Sequence, residues 1–171
     1  MWAEALALRD LLKYEFFFST KREFDAEVRR EAELAYPGWT EAGLTSEQVL
    51  PGLARTPFLL AHRIVGPFLE AYSVLADRLA AADPRAVVDA DALVTEAIGV
   101  GQQAVLQRTI HSPESVSKDL FTNALKLAGN RGLLDVAEPD LAQRRQEFAA
   151  ELAESVHRVS VIRTLSLKGR A

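Results

Sequence analysis

The stretch Pro57-Phe-Leu-Leu-Ala-His-Arg-Ile-Val-Gly-Pro-Phe-Leu-Glu-Ala-Tyr-Ser-Val-Leu-Ala-Asp-Arg-Leu-Ala-Ala-Ala82 decides the fold. Phe58, Val65, Phe68, Leu69, Tyr72, Leu75, Ala76 and Leu79 recur at three- and four-residue steps, which puts them on one helical face. Thr56 before Pro57 is a start signal, a hydroxyl cap followed by proline at the first helical position. Pro67 lies inside the pattern. It removes a backbone donor and crowds the preceding turn, so the spacing predicts a kink, or two helices meeting at Gly66-Pro67. An apolar, kinked helix in mid-chain needs other helices around it.

Working outward, the N-terminal side predicts a helix from Ala3 to Phe18. Ala5, Leu8, Leu12 and Phe16 form one stripe, and Leu11, Tyr14 and Phe18 a neighbouring one. This helix opens with no clear cap, which fits an ordinary N-terminus or a cut inside a longer protein. Thr20-Lys-Arg-Glu23 is a capping box that predicts a second helix from Lys21 to Ala35, stopped by Pro37-Gly38. Its apolar face is thin (Phe24, Val28, Ala32, Ala35), and Asp25 and Arg29 stand one turn apart. Residues 37–56 read as a long loop anchored by Trp39 and Leu50, with a short helix after Thr45-Ser-Glu-Gln48.

On the C-terminal side, Ala82-Asp-Pro84-Arg is a connector. Asp89 or Asp91 caps a helix reaching Arg108, with Leu93, Ala97, Val100, Ala104 and Leu106 on its apolar side. Gly99 and Gly101 weaken that helix but permit close approach. Ser112-Pro113-Glu114 predicts the start of the next helix, which uses Val116, Leu120, Phe121, Ala124 and Leu127 and stops at Gly129-Asn-Arg-Gly132. A last helix begins near Pro139 and carries Leu141, Phe148, Leu152, Val156, Val159, Ile162 and Leu165. No strand pattern competes. The fold class is all-α, a helical bundle of about six or seven helices around the central Pro-kinked helix.

Composition bounds the function. The 171 residues fit a single helical domain, and 49% hydrophobic content supports a packed core. With no cysteine, disulfides and thiolate chemistry are excluded. A net charge of −4 argues against nucleic acid as a partner. No apolar run reaches the ~18 residues of a membrane span.

The motif search yields no catalytic, cofactor-binding or metal-binding residue. His62 lies on the apolar face of the central helix, His111 precedes the Ser112 cap, and Glu154-Ser-Val-His157 lacks the second Glu-x-x-His that a di-iron bundle requires. There is no phosphate loop and no nucleophile elbow. The acyltransferase pattern His-x-x-x-x-Asp fails at each histidine, because Pro67, Val116 and Ile162 stand five residues on.

Two features remain as candidates for membrane or domain contact. One is the aromatic run Phe16, Phe17, Phe18 with Lys21 and Arg22 beside it; the other is the acid-free tail with Arg158, Arg163 and Lys168. Each has a plainer account. The aromatics fit a core, and cations at a helix C-terminus suit its macrodipole.

Leu8-Arg-Asp-Leu-Leu-Lys-Tyr-Glu-Phe-Phe-Phe18 with Lys21-Arg-Glu-Phe24, then Pro67-Phe-Leu-Glu-Ala-Tyr72, then Ser115-Val-Ser-Lys-Asp-Leu-Phe-Thr-Asn-Ala-Leu-Lys-Leu-Ala-Gly-Asn-Arg131 and Arg144-Arg-Gln-Glu-Phe-Ala-Ala-Glu-Leu152 follow in order along nearly the whole chain. Together they resemble the C-terminal part of bacterial, especially actinobacterial, membrane-associated glycerol-3-phosphate acyltransferases. The resemblance implies an accessory helical domain. It places the His-x-x-x-x-Asp site in an upstream catalytic α/β domain of the same polypeptide. The implied substrates are glycerol 3-phosphate and a fatty acyl thioester, on acyl-CoA or acyl carrier protein. The implied parent is a peripheral enzyme at the cytoplasmic side of the cell membrane, serving phospholipid biosynthesis. This chain itself is then soluble and inactive, with no cofactor. The alternative is a free-standing all-α interaction or ligand-binding module.

Overall fold

The computed structural model describes residues 2–38, 45, 47–49, 51 and 60–168. The Thr56-Pro57 start, Phe58, Trp39 and Leu50 lie outside the described residues. The described elements are α1 (Trp2–Leu11), α2 (Lys21–Ala35), α3 (Ala61–Ile64), α4 (Gly66–Ala81), α5 (Ala90–Leu106), a 3-10 turn (Pro113–Ser115), α6 (Lys118–Asn130) and α7 (Leu141–Lys168). The chain is all-helical there, as its periodicity predicts. Its contacts group into two compact units, one of residues 1–62 with 161–171 and one of residues 63–160.

In the first unit α1 packs on α2. The sequence predicts that the first helix runs to Phe18, but α1 ends at Leu11 and the chain is turned or extended from Leu12 to Thr20. Two causes are visible. Aromatic residues in succession are poor helix formers. The turn also places Phe18 edge-on to Phe24 of α2, with centroids 5.5 Å apart, and the Arg9 guanidinium within 6 Å of both rings. Arg9 further donates to the Ser19 carbonyl at 2.7 Å, which fastens the reversed chain to α1. The predicted capping box is present, with Thr20 and Glu23 exchanging bonds, and the Asp25–Arg29 pair forms at 2.9 Å. Gly38 sits at φ +80 and donates its N–H to Glu33 Oε1, which completes the stop after α2. Thr45 starts a helical turn at 47–49, its N–H donating to Gln48 Oε1 at 2.8 Å.

The second unit is built around α4, which packs on α5, α6 and the 3-10 turn. The predicted break at Gly66-Pro67 is real: Val65 is a turn residue, and Pro67 occupies the first turn of α4, where its missing N–H costs nothing. Leu69, Ala71, Tyr72, Leu75, Ala76 and Leu79 are fully buried, whereas Phe68 is only half-buried.

Asp89 caps α5 through the Ala92 N–H. The expected apolar side of α5 is shifted: Leu93, Val94, Ala97 and Gly101 are buried, and Leu106 is 83% exposed. Gly101 is the close-approach glycine, since a Cβ there would stand 3.1 Å from Val116 Cγ2; at Gly99 it would meet nothing. The Ser112 start needs correction as well. Pro113–Ser115 forms only a 3-10 turn, Ser112 makes no side-chain cap, and the helix proper begins at Lys118. The physical reason is the tie of this segment to Glu70, described below. The Gly129–Gly132 stop is a Schellman motif: Leu133 N–H donates to the Ala128 carbonyl, Gly132 N–H to the Gly129 carbonyl, and Gly132 takes φ +68.

Candidate functional site

The second unit holds a buried polar node at Glu70. Glu70 on α4 is 8% exposed. Its carboxylate accepts the backbone N–H of His111 at 2.9 Å and of Ser112 at 3.1 Å, and the hydroxyl of fully buried Ser115 at 2.7 Å. A buried carboxylate with three donors from one segment is satisfied where it stands. These bonds tie residues 111–115 to α4, and the segment between them is a 3-10 turn. The signal was available: Glu70 is the lone acid within Pro67-Phe-Leu-Glu-Ala-Tyr72, an otherwise apolar stretch of the helix.

A second feature is a groove of about 350 Å³ lined by Arg131, Leu133, Arg144, Glu147, Phe148 and Glu151. The Schellman turn supplies Arg131 and Leu133; the first turns of α7 supply the others. Arg131 forks onto Glu151 and lies 5.1 Å from the Phe148 ring centroid. Arg144 bonds Glu138 at 2.6 Å and the Arg131 carbonyl at 2.6 Å. Glu147 accepts the Gln143 amide at 2.8 Å. Each arginine is thus matched by an acid of its own, so the groove offers no uncompensated charge for an anion.

The predicted contact residues fall into separate environments. Phe16 and Phe18 are half-buried and 6.1 Å apart, and Phe18 is held by Phe24 and Arg9. Phe17 is fully solvent-exposed. Lys21 pairs with Asp10 at 2.6 Å, and that bond is the main reason the Asp10 carboxyl lies below its ordinary range. Arg22 is exposed, Arg158 pairs with Glu154 at 2.8 Å, and Arg163 is half-buried. Lys168 ends α7, and its side chain lies outside the described residues.

The histidines do not assemble a reaction centre. His62 is half-buried, and His111 and His157 are exposed. Glu154 turns to Arg158 instead of forming a metal-binding pair with His157. Among the described residues no group of three or more His, Asp or Glu is arranged to hold a metal ion. None of their helices is long and apolar enough to cross a membrane.

Among the described residues the chain is all-helical, and the Glu70 node and both groove arginines are matched within the fold. Residues 1–137 match the glycerol-3-phosphate acyltransferase C-terminal region, and the chain belongs to that family. Among curated proteins it is 42% identical over 165 residues to the putative acyltransferase plsB1 of Mycobacterium bovis, and equally to that of two Mycobacterium tuberculosis strains. The match takes in 95% of this chain and 26% of each relative, so the chain spans about a quarter of their length. No solved structure matches.

Proposed function

We propose that these 171 residues act as one accessory helical module of a larger glycerol-3-phosphate 1-O-acyltransferase. Acyl transfer from acyl-CoA or acyl carrier protein then takes place in a catalytic α/β domain of the same polypeptide. The family match across residues 1–137 carries this reading. The missing His-x-x-x-x-Asp supports it, and so does the way the buried acid Glu70 spends its oxygens on backbone and hydroxyl donors. The module braces its partner domain and contributes no reacting group. The test is acylation of glycerol 3-phosphate with palmitoyl-CoA. The isolated chain is expected to give no product, and a mycobacterial relative with its matched region deleted is expected to lose activity. Turnover by the chain alone, or full activity of the deleted relative, refutes the proposal.

A second reading concerns the membrane. Phe17 projects fully into solvent, and Lys13 before it and Arg22 after it in the sequence are exposed, a combination that suits an anionic bilayer surface. Flotation with phosphatidylglycerol vesicles tests it. Binding that Phe17→Glu abolishes supports the contact; no binding, or binding indifferent to Phe17→Glu, removes it.

A further inference from the structure

Arg145 is the most anomalous side chain in the chain. It is fully buried, and among the described residues its only hydrogen bond runs from Nε to the Leu133 carbonyl at 2.8 Å. Both terminal amino groups, Nη1 and Nη2, are sealed from water and have no hydrogen-bond partner among the described residues. Four N–H donors and a positive charge are left uncompensated, in a setting where buried charges are normally paired.

The position is not an accident of the surface. Arg145 stands four residues after Leu141 and three before Phe148, both buried, so it occupies the apolar stripe of α7. Because both amino groups are buried away from solvent, water does not substitute for the missing acceptor. The acceptor has to come from a group already at hand that can shift inward.

We propose that Asp83 is this group, and that the connector 82–89 is a strap that closes over Arg145 by forming a buried Asp83–Arg145 ion pair. In the structure Asp83 is exposed, and its Oδ1 accepts the Arg85 N–H at 2.9 Å. That bond is local and survives closure, which leaves Oδ2 to accept charge-assisted N–H bonds from the two amino groups. Burial depresses the Arg145 pKa below its ordinary value, and the charge of Asp83 is what opposes that effect. Closure ties the α4–α5 connector to the first turns of α7. The Leu133 carbonyl already fastens Arg145 there, so the pair would couple three segments that are distant in sequence.

The test uses the 171-residue chain labelled with 15N-arginine. The wild type is expected to show resolved, slowly exchanging Arg145 Nη–H signals, and Asp83→Asn is expected to collapse them. Asparagine retains the acceptor for Arg85 and removes both the charge and the Oδ2 acceptor that the amino groups need. In urea unfolding, Asp83→Asn should lower the folding constant about tenfold in the wild-type background and less than twofold beside Arg145→Met. Signals indifferent to Asp83→Asn, or equal losses in both backgrounds, overturn the proposal. So does ordering of the Nη–H signals by added inorganic phosphate in the Asp83→Asn variant and the wild type alike, because the counter-ion would then come from outside the chain. The NMR comparison needs only the exposed Asp83 substitution, so it stands even if Arg145→Met does not fold.

Discussion

Replacing Glu70 by glutamine should destabilise the chain far more than an ordinary loss of charge. Two of the three donors, Ser112 N–H and the Ser115 hydroxyl, meet Oε2; His111 N–H meets Oε1. An amide oxygen at the Oε2 position keeps the first two bonds without charge assistance. The amide NH₂ at the Oε1 position then faces the His111 N–H, donor against donor. A bond to a charged group contributes ~1.5–3 kcal/mol and a neutral one ~0.5–1.5, so each retained bond loses about 1 kcal/mol. The lost third bond adds about 1 kcal/mol, since His111 N–H can turn partly to solvent. Easier desolvation of the neutral amide offsets part of this sum. The expected cost is about 2 kcal/mol, or a fall of ~4–8 °C in Tm for a chain of this size. Urea and thermal unfolding followed by circular dichroism measure it. Ser115→Ala, made alone and beside Glu70→Gln, gives the coupling, which should exceed about 0.5 kcal/mol. A Glu70→Gln cost below about 0.5 kcal/mol, or additive effects, would refute the claim that this carboxylate organises residues 111–115.

Gly99 and Gly101, about half a helical turn apart, should respond differently to alanine. Gly99→Ala should stabilise by ~0.5–1 kcal/mol, because nothing lies near its added methyl. Gly101→Ala should be neutral to destabilising by up to ~2 kcal/mol, because the methyl meets Val116 at 3.1 Å and Phe121 at 3.4 Å. Unfolding curves of the two variants check this pair. Asp10 has its folded pKa lowered by Lys21, so its contribution is present above the unfolded pKa and is lost as pH falls through the folded one. Asp10→Asn should therefore flatten the acid limb of stability by less than about 1 kcal/mol, because the pair is partly exposed, and added salt should shrink the difference further.

Local rules carried much of the fold. The Thr20–Glu23 capping box, the Asp89 cap, the Pro67 break and the Gly132 stop each depend on residues within one or two turns, and each is where the sequence puts it. The failures share a cause at longer range. The helix predicted through Phe18 stops at Leu11 because Arg9 and Phe24 draw the aromatics into a reversal. The helix expected from Ser112 is displaced by a carboxylate more than forty residues upstream. The aromatic candidates scatter for the same reason: three adjacent phenylalanines read alike in sequence, yet Phe18 finds Phe24 and Phe17 finds only solvent. Arg145 was legible as a charge in an apolar stripe, but its isolation depends on burial, which spacing alone does not reveal.

The Glu70 node also bears on the order in which the chain assembles. Its partners lie 41 to 45 residues away, beyond the whole of α5. Bringing such ends together costs about 3 kcal/mol of loop entropy before any bond is returned. The caps and the Schellman stop close within a few residues and can form while the chain is still open. Glu70 therefore stays hydrated through early collapse and reaches its donors only when α4, α5 and the 3-10 turn have met. Substitutions there should speed unfolding while leaving the refolding rate nearly unchanged, which makes this node a kinetic latch on the finished core.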